Sequence, residues 1–215
     1  MRVTDEDALV ARLLATRAGV GAERRWLIAL AGAPGSGKST LAATLVERLA
    51  DAIVVPMDGF HLDDALLAPA GLLPVKGSPP TFDVAGLVAT VERVRRDDGV
   101  VHVPVFDRAR ELSRAAAASV EPRHRTVIVE GNYLLLDRAP WNALGDLFDL
   151  DVMVEVDEAV LRERLVGRWL GLGLGPSEAL LRAESNDLPN GSLVRTASRP
   201  ADLVHAPVPA TARSD

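Results

Sequence analysis

The chain contains no cysteine among its 215 residues, which excludes disulfide cross-links, thiolate nucleophiles and cysteine-ligated metal centres. It also lacks any run of 18 apolar residues, the length a helix needs to cross a bilayer. Met1 to Asp7 is acidic, where a secretory leader would be basic and then apolar. There is no basic excess. The net charge is −6, so a nucleic-acid partner is not expected. Aromatic residues are scarce at 4%. These absences make a cytoplasmic protein with neither a membrane nor a nucleic-acid partner the expectation. What is present is 48% hydrophobic residues over the length of one α/β domain, enough for a sizeable core.

Apolar runs alternate with helical spacing along the chain, which predicts α/β architecture: a mostly parallel, doubly wound sheet with helices on both faces. Asp5 to Ala18 carries Leu9, Val10, Leu13 and Leu14 on one helical face, ending near Gly19-Val20-Gly21. Strands are expected at Trp26–Ala31, Ala52–Met57, Val100–Phe106, Thr126–Glu130 and Leu150–Val156. Pro104 should end the third of these or place it at an edge. Helices are expected at Lys38–Leu49, Asp83–Asp97, Glu158–Trp169 and Pro176–Asn186, the last two separated by a glycine-rich stretch. A single domain over residues 1–205 is the reading, with 206–215 a disordered tail that has no core-forming pattern. Trp26, Trp141 and exposed leucines of the leading helix leave room for a homodimer.

The run Gly32, Ala33, Pro34, Gly35, Ser36, Gly37, Lys38, Ser39, Thr40 fits the phosphate-binding pattern G-x-x-x-x-G-K-[ST] at every fixed position. An apolar strand precedes it and a helix follows, as that pattern requires. Glycines let the backbone curl so that its N–H groups point inward, and the helix N-terminus adds positive potential. Lys38 would reach the terminal phosphates of a nucleoside triphosphate and the Ser39 hydroxyl would ligate Mg²⁺. The fold expected is therefore that of the P-loop NTPases.

Other strand ends converge on such a loop in a doubly wound sheet. Asp58, just after the second strand, is placed to accept the proton of an attacking hydroxyl, though it could instead cap the following turn. Asp63 reads as an N-cap. Glu130 ends the fourth strand, where a carboxylate can hold Mg²⁺ or polarise the nucleophile. Two clusters look like contacts to an acceptor. One is Lys76 to Asp83, in which Thr81 or Asp83 could also cap the next helix. The other is Asp107 with Arg108, which could also be a solvated ion-pair surface. Phe60, His61, Phe82, Phe106 and Tyr133 could line the pocket. Arg164 and Arg168 share a helix face beside the glycines, the composition of a short lid over about residues 164–177 that delivers catalytic arginines to developing charge.

The phosphate loop, Met57-Asp58-Gly59-Phe60-His61, Lys76-Gly77-x-Pro79-x-x-Phe82-Asp83, Val129-Glu130-Gly131-Asn132-Tyr133 and Asn186-Asp187-Leu188-Pro189-Asn190 together carry a family resemblance. From Trp26 to Ala201 the chain resembles the uridine kinase, pantothenate kinase and phosphoribulokinase superfamily. Within it, the chain is most similar to small bacterial kinase-like proteins. That resemblance implies ATP, Mg²⁺ and phosphoryl transfer to a hydroxyl of a small nucleoside, sugar or pantothenate-like acceptor. It implies that Asp58 is the base, that Arg164 and Arg168 are lid residues, and that Asn186 and Asn190 lie near the acceptor. A nucleotide-gated regulatory ATPase without a small-molecule acceptor is the competing class.

Overall fold

The computed structural model describes residues 1–21 and 23–207. In chain order the elements are β1 (Arg2–Val3), α1 (Glu6–Arg17), β2 (Trp26–Gly32), α2 (Lys38–Arg48), β3 (Ala52–Pro56), α3 (Asp64–Leu67) and α4 (Val84–Arg96). There follow β4 (Val101–Asp107), β5 (Leu112–Val120), β6 (Thr126–Gly131), β7 (Leu150–Val154), α5 (Glu158–Gly171), α6 (Pro176–Arg182), α7 (Leu188–Ala197) and β8 (Leu203–His205). Six strands form one sheet in the order β1-β8-β7-β2-β6-β3, and every neighbouring pair is parallel.

The central strand β2 is buried along its whole length, because helices cover both faces. Its side chains alternate between two cores. Leu27, Ala29 and Ala31 point into one with Val127, Val129, Leu87 and Trp141, while Trp26, Ile28 and Leu30 point into the other with Leu9, Leu13, Leu41 and Leu45. Each valine, leucine or isoleucine side chain among them contributes roughly 1.5–3 kcal/mol on burial. Trp26 and Trp141 are fully enclosed in these cores, so neither offers surface to a second copy.

Three local expectations change. The strand expected at Val100–Phe106 is not in the main sheet. It pairs antiparallel with β5 in a separate hairpin, with an irregularity between Val103 and Val105, at Pro104. The helix expected at Pro176–Asn186 stops at Arg182, passes through a π-turn at Ala183–Asp187 and resumes as α7. Pro189 stands in the first turn of α7, directly after the π-turn. The tail expected to start at 206 does not: the Ala206 N–H donates to the Val3 carbonyl at 2.9 Å, extending the β1 edge, and positions 208–215 lie outside the described residues. Among the described residues no helix is long and apolar enough to cross a membrane.

Candidate functional site

The phosphate loop turns where β2 ends. Gly35 and Gly37 adopt φ of +78° and +88°, a left-handed region that penalises any Cβ. The turn leaves α2 starting at Lys38 with no side-chain cap and no acidic residue in its first turn, so its N–H groups and positive dipole end are unspent. Gly32 is set by close packing: a Cβ there would stand 2.6 Å from Ser36 Oγ and 3.0 Å from the Val154 carbonyl.

Strand register brings the acidic end of β6 alongside. Leu30 pairs with Glu130 and Ala31 with Gly131, so the Glu130 carboxylate emerges beside the loop. A Cβ at Gly131 would collide with Met57, 2.7 Å from its Sδ. This glycine therefore permits close packing of β6 on the turn after β3, rather than the approach of a ligand. Glu130 is only 7% exposed, and Ser39 Oγ lies 3.3 Å from both its carboxylate oxygens. Burial pushes the Glu130 carboxyl above the usual carboxylate range, against the pull of the Lys38 ammonium and the Ser39 hydroxyl. Burial likewise lowers the Lys38 ammonium, against the attraction of Glu130 and Asp58. A hydroxyl and a carboxylate are hard oxygen donors, and they fit Mg²⁺. Among the described residues no group of three or more His, Cys, Asp or Glu could cage a metal.

Beyond β3 the chain makes a 3₁₀ turn, Met57–Phe60, that buries Met57, Gly59 and Phe60 and leaves Asp58 at the cavity. Arg108, at the end of β4, donates to Asp58 Oδ2 at 2.7 Å. The His61 Nδ1–H donates to the Asp58 carbonyl at 2.8 Å, leaving Nε2 as an acceptor. The His61 ring packs 4.0 Å from Phe82 and 4.7 Å from Phe106, and this burial keeps its pKa below the ordinary histidine value, so it is neutral at pH 7. Lys76 Nζ donates to the Asp64 carboxylate and to the Glu111 carbonyl, each at 2.7 Å. Asn186 Nδ2 donates to the Lys76 carbonyl at 3.0 Å, and Asn190 Nδ2 to Asn186 Oδ1 at 3.1 Å. Phosphate loop, carboxylates, aromatic wall and asparagines enclose a single cavity of about 340 Å³.

Pro34, Gly35, Gly37, Lys38, Ser39 and Thr40 of the loop line this cavity, with Asp58, His61, Lys76, Phe82, Phe106, Arg108, Glu130, Arg168, Asn186 and Asn190. Gly32, Ala33 and Ser36 lie behind the loop and shape it. Four expected acceptor contacts do not reach the cavity. Phe60 is a core side chain, because the 3₁₀ turn points it inward. Tyr133 is fully buried, and its hydroxyl donates to the Gly77 carbonyl at 2.7 Å, so it props the loop from behind. Asp83 is spent as the N-cap of α4, accepting from the Gly86 N–H at 2.9 Å. Asp107 turns to the hairpin end, where it accepts from the Ala109 and Arg110 N–H groups. Arg164 lies outside as well. Its Nη1 donates to the Gly35 carbonyl at 3.2 Å, over a separate hollow that includes His205 and Glu6. Sequence reasoning missed Glu111, Asn132, Trp169, Arg182 and Asp187, which complete the cavity wall. Asn132 and Asp187 stand inside the Val129–Tyr133 and Asn186–Asn190 motifs, and no local pattern marks the other three.

No protein-family model matches the chain. A Schizosaccharomyces pombe protein named "Putative uridine kinase" is 36% identical over 195 residues, covering 85% of this chain and 83% of that protein. A Rhodopseudomonas palustris pantothenate kinase is 31% identical over 68% of this chain, which spans half of that enzyme's length. Among solved structures, a "putative fructose transport system kinase" from Silicibacter superposes with a TM-score of 0.88 at 44% identity, covering 94% of this chain and 99% of that one. With a phosphate loop at the carboxyl end of its central strand and these relatives over most of its length, the chain belongs to the phosphate-loop small-molecule kinases of the uridine kinase and pantothenate kinase superfamily.

Proposed function

We propose that the protein transfers the γ-phosphate of ATP to a hydroxyl of a small polar metabolite of the nucleoside, sugar or pantothenate-like class, with Mg²⁺. The observation that carries this reading is one cavity that joins the phosphate loop and Lys38 to the Asp58 carboxylate. Beyond Asp58 lies an enclosed wall of His61, Phe82, Phe106, Asn186 and Asn190.

The loop amides and Lys38 hold the phosphates, and the nucleoside end leads over Gly35 and Thr40 toward Arg164 and His205. Ser39 and Glu130 would hold Mg²⁺, which when bound neutralises charge on the β- and γ-oxygens. Arg108 occupies one oxygen of Asp58, leaving the other to accept the acceptor's proton as its oxygen attacks the γ-phosphorus. The bond to the bridging oxygen breaks, and ADP leaves with that electron pair. Arg168 meets the charge that spreads over the transferring group.

The decisive experiment measures ADP release over a panel of nucleosides, sugars and pantothenate, with and without Mg²⁺. Turnover stimulated by one class of acceptor supports the kinase reading. Turnover indifferent to every acceptor but altered by a protein partner marks the regulatory ATPase instead.

A further inference from the structure

One buried carboxylate in the cavity has no part in the chemistry above. Asp187 is 8% exposed and closes the π-turn between α6 and α7. Among the described residues it forms no ion pair within salt-bridge distance. Its partner is the Trp169 indole, whose Nε1–H donates to Asp187 Oδ2 at 2.6 Å. An indole is an uncommon neighbour for a buried anion, and a charge-assisted bond this short offsets part of the desolvation that raises the Asp187 pKa.

The contact ties together the two segments that face opposite substrates. Trp169 sits in the last turn of α5, next to Arg168, and the Arg168 guanidinium stands 5.4 Å from the centre of the Trp169 ring. Arg182, from α6, stands 5.3 Å from the same ring. On the other side, Asp187 adjoins Asn186, whose amide meets the Lys76 carbonyl at the acceptor wall. Apart from this bond, the end of α5 is held by the Trp169 ring, which packs with Val166 against the Leu161, Leu165 and Ala183 cluster. Leu170 and Leu172 are 42% and 62% exposed, and the buried residues of α5, Leu161 and Leu165, lie earlier in the helix.

We propose that Asp187, acting through the Trp169 indole, is a positioning residue for Arg168: it fixes the arginine's helix turn to the asparagine turn at the acceptor wall. The π-turn is what aims the carboxylate at the indole, since its extra residue per turn rotates Asp187 relative to a regular helix. The proposal rests on the kinase reading above, because Arg168 matters only if phosphates lie in the cavity.

A thermodynamic cycle on ATP turnover, with water or an identified acceptor, tests it. Trp169→Phe keeps an aromatic ring beneath both arginines, removes the N–H and makes the side chain smaller. It should lower kcat about tenfold with the KM for ATP within about twofold, as expected for misplacement of a group that acts late. Asp187→Ala should do the same. In an Arg168→Ala background neither change should cost anything further, which distinguishes positioning of that arginine from general loosening. Losses that multiply in that background, or a shift in KM with kcat intact, would overturn the proposal. A second readout needs no turnover. Trp26 and Trp141 are sealed in the cores, so an emission change on adding ATP reports Trp169, and it should disappear in Asp187→Ala. An identical change in that variant would also overturn the proposal. If the unaltered protein neither binds nor turns over ATP, the kinase reading itself fails and this proposal falls with it.

Discussion

Arg108 and Asp58 meet at 2.7 Å across fifty residues of sequence, joining the β4–β5 hairpin to the turn after β3. The hairpin is outside the main sheet, so it can carry Arg108 over the cavity mouth while the sheet fixes Asp58 below. The arginine is 58% and the aspartate 27% exposed at the side chain, so solvent screens the pair and its worth to folding is small. Its value is placement: the arginine engages one carboxylate oxygen and fixes the Asp58 side chain beside the cavity.

Asp58→Asn keeps the shape and removes the base. Turnover should fall roughly 10²–10⁴-fold, the usual share of a positioned base, while ATP affinity changes little because the loop holds the phosphates. Asp63→Asn is the control. Asp63 caps α3, accepting from the Ala65 N–H at 2.9 Å, so its loss costs about 1 kcal/mol of stability or less and leaves kcat intact. Steady-state kinetics of both variants checks this, and full turnover by Asp58→Asn would remove the base assignment.

Lys38→Ala should lower turnover at least ~100-fold, about 2.7 kcal/mol of transition-state stabilisation. The fold should survive, because the loop conformation is set by Gly35 and Gly37 rather than by the lysine. Circular dichroism alongside the assay separates the two effects. Near-normal activity in the folded variant would contradict the nucleotide site.

Glu130→Gln should lower activity and raise stability. Burial holds the Glu130 carboxyl above its ordinary value, so the folded state binds its proton more tightly than the unfolded chain does. The sign follows: its contribution is fully present below the unfolded pKa and is lost as pH rises through the folded one. Above the unfolded pKa the native carboxyl carries a cost, of burying its charge or of taking up a proton, that glutamine lacks. Denaturant midpoints without nucleotide should favour the variant at pH 7, and the gap should close on acidification. A variant less stable at both ends would show that the Lys38 and Ser39 contacts outweigh desolvation.

The parallel sheet was legible because strands buried on both faces read as continuous apolar runs, as in Trp26–Ala31 and Thr126–Glu130. The strand β5 was not, since its Ala115–Ala118 centre has neither β-branched nor aromatic residues, and only the hairpin partner makes it a strand. The edge strand β1 and its neighbour β8 are two and three residues long, too short for any period to show. The same split runs through the site. The phosphate loop is contiguous, so its chemistry can be read from nine residues. Phe60 and His61 are adjacent, yet one faces the core and the other the cavity, because the 3₁₀ turn ends between them. Trp169 and Asp187 meet only through the π-turn, and no local pattern announces that.

Arg164 and Arg168 are one helical turn apart but should fail differently. Arg164 braces the outside of the phosphate loop through the Gly35 carbonyl and borders the hollow assigned to the nucleoside. Arg168 enters the cavity that holds Lys38, Glu130 and Asp58. A contact made equally in ground and transition states changes KM, whereas one made to developing charge changes kcat. Arg164→Ala should therefore raise the KM for ATP several-fold with kcat nearly unchanged. Arg168→Ala should lower kcat roughly 10²-fold, as removal of one preorganised donor does, with KM nearly constant. Lysine at each position sharpens the comparison: it restores charge but not the planar fork, so Arg168→Lys should recover part of kcat. Initial rates over a range of ATP concentrations for the three variants decide the matter. Equal kcat losses at both positions would return Arg164 to the cavity side of a closed lid, and unchanged kcat in Arg168→Ala would remove that residue from the phosphates.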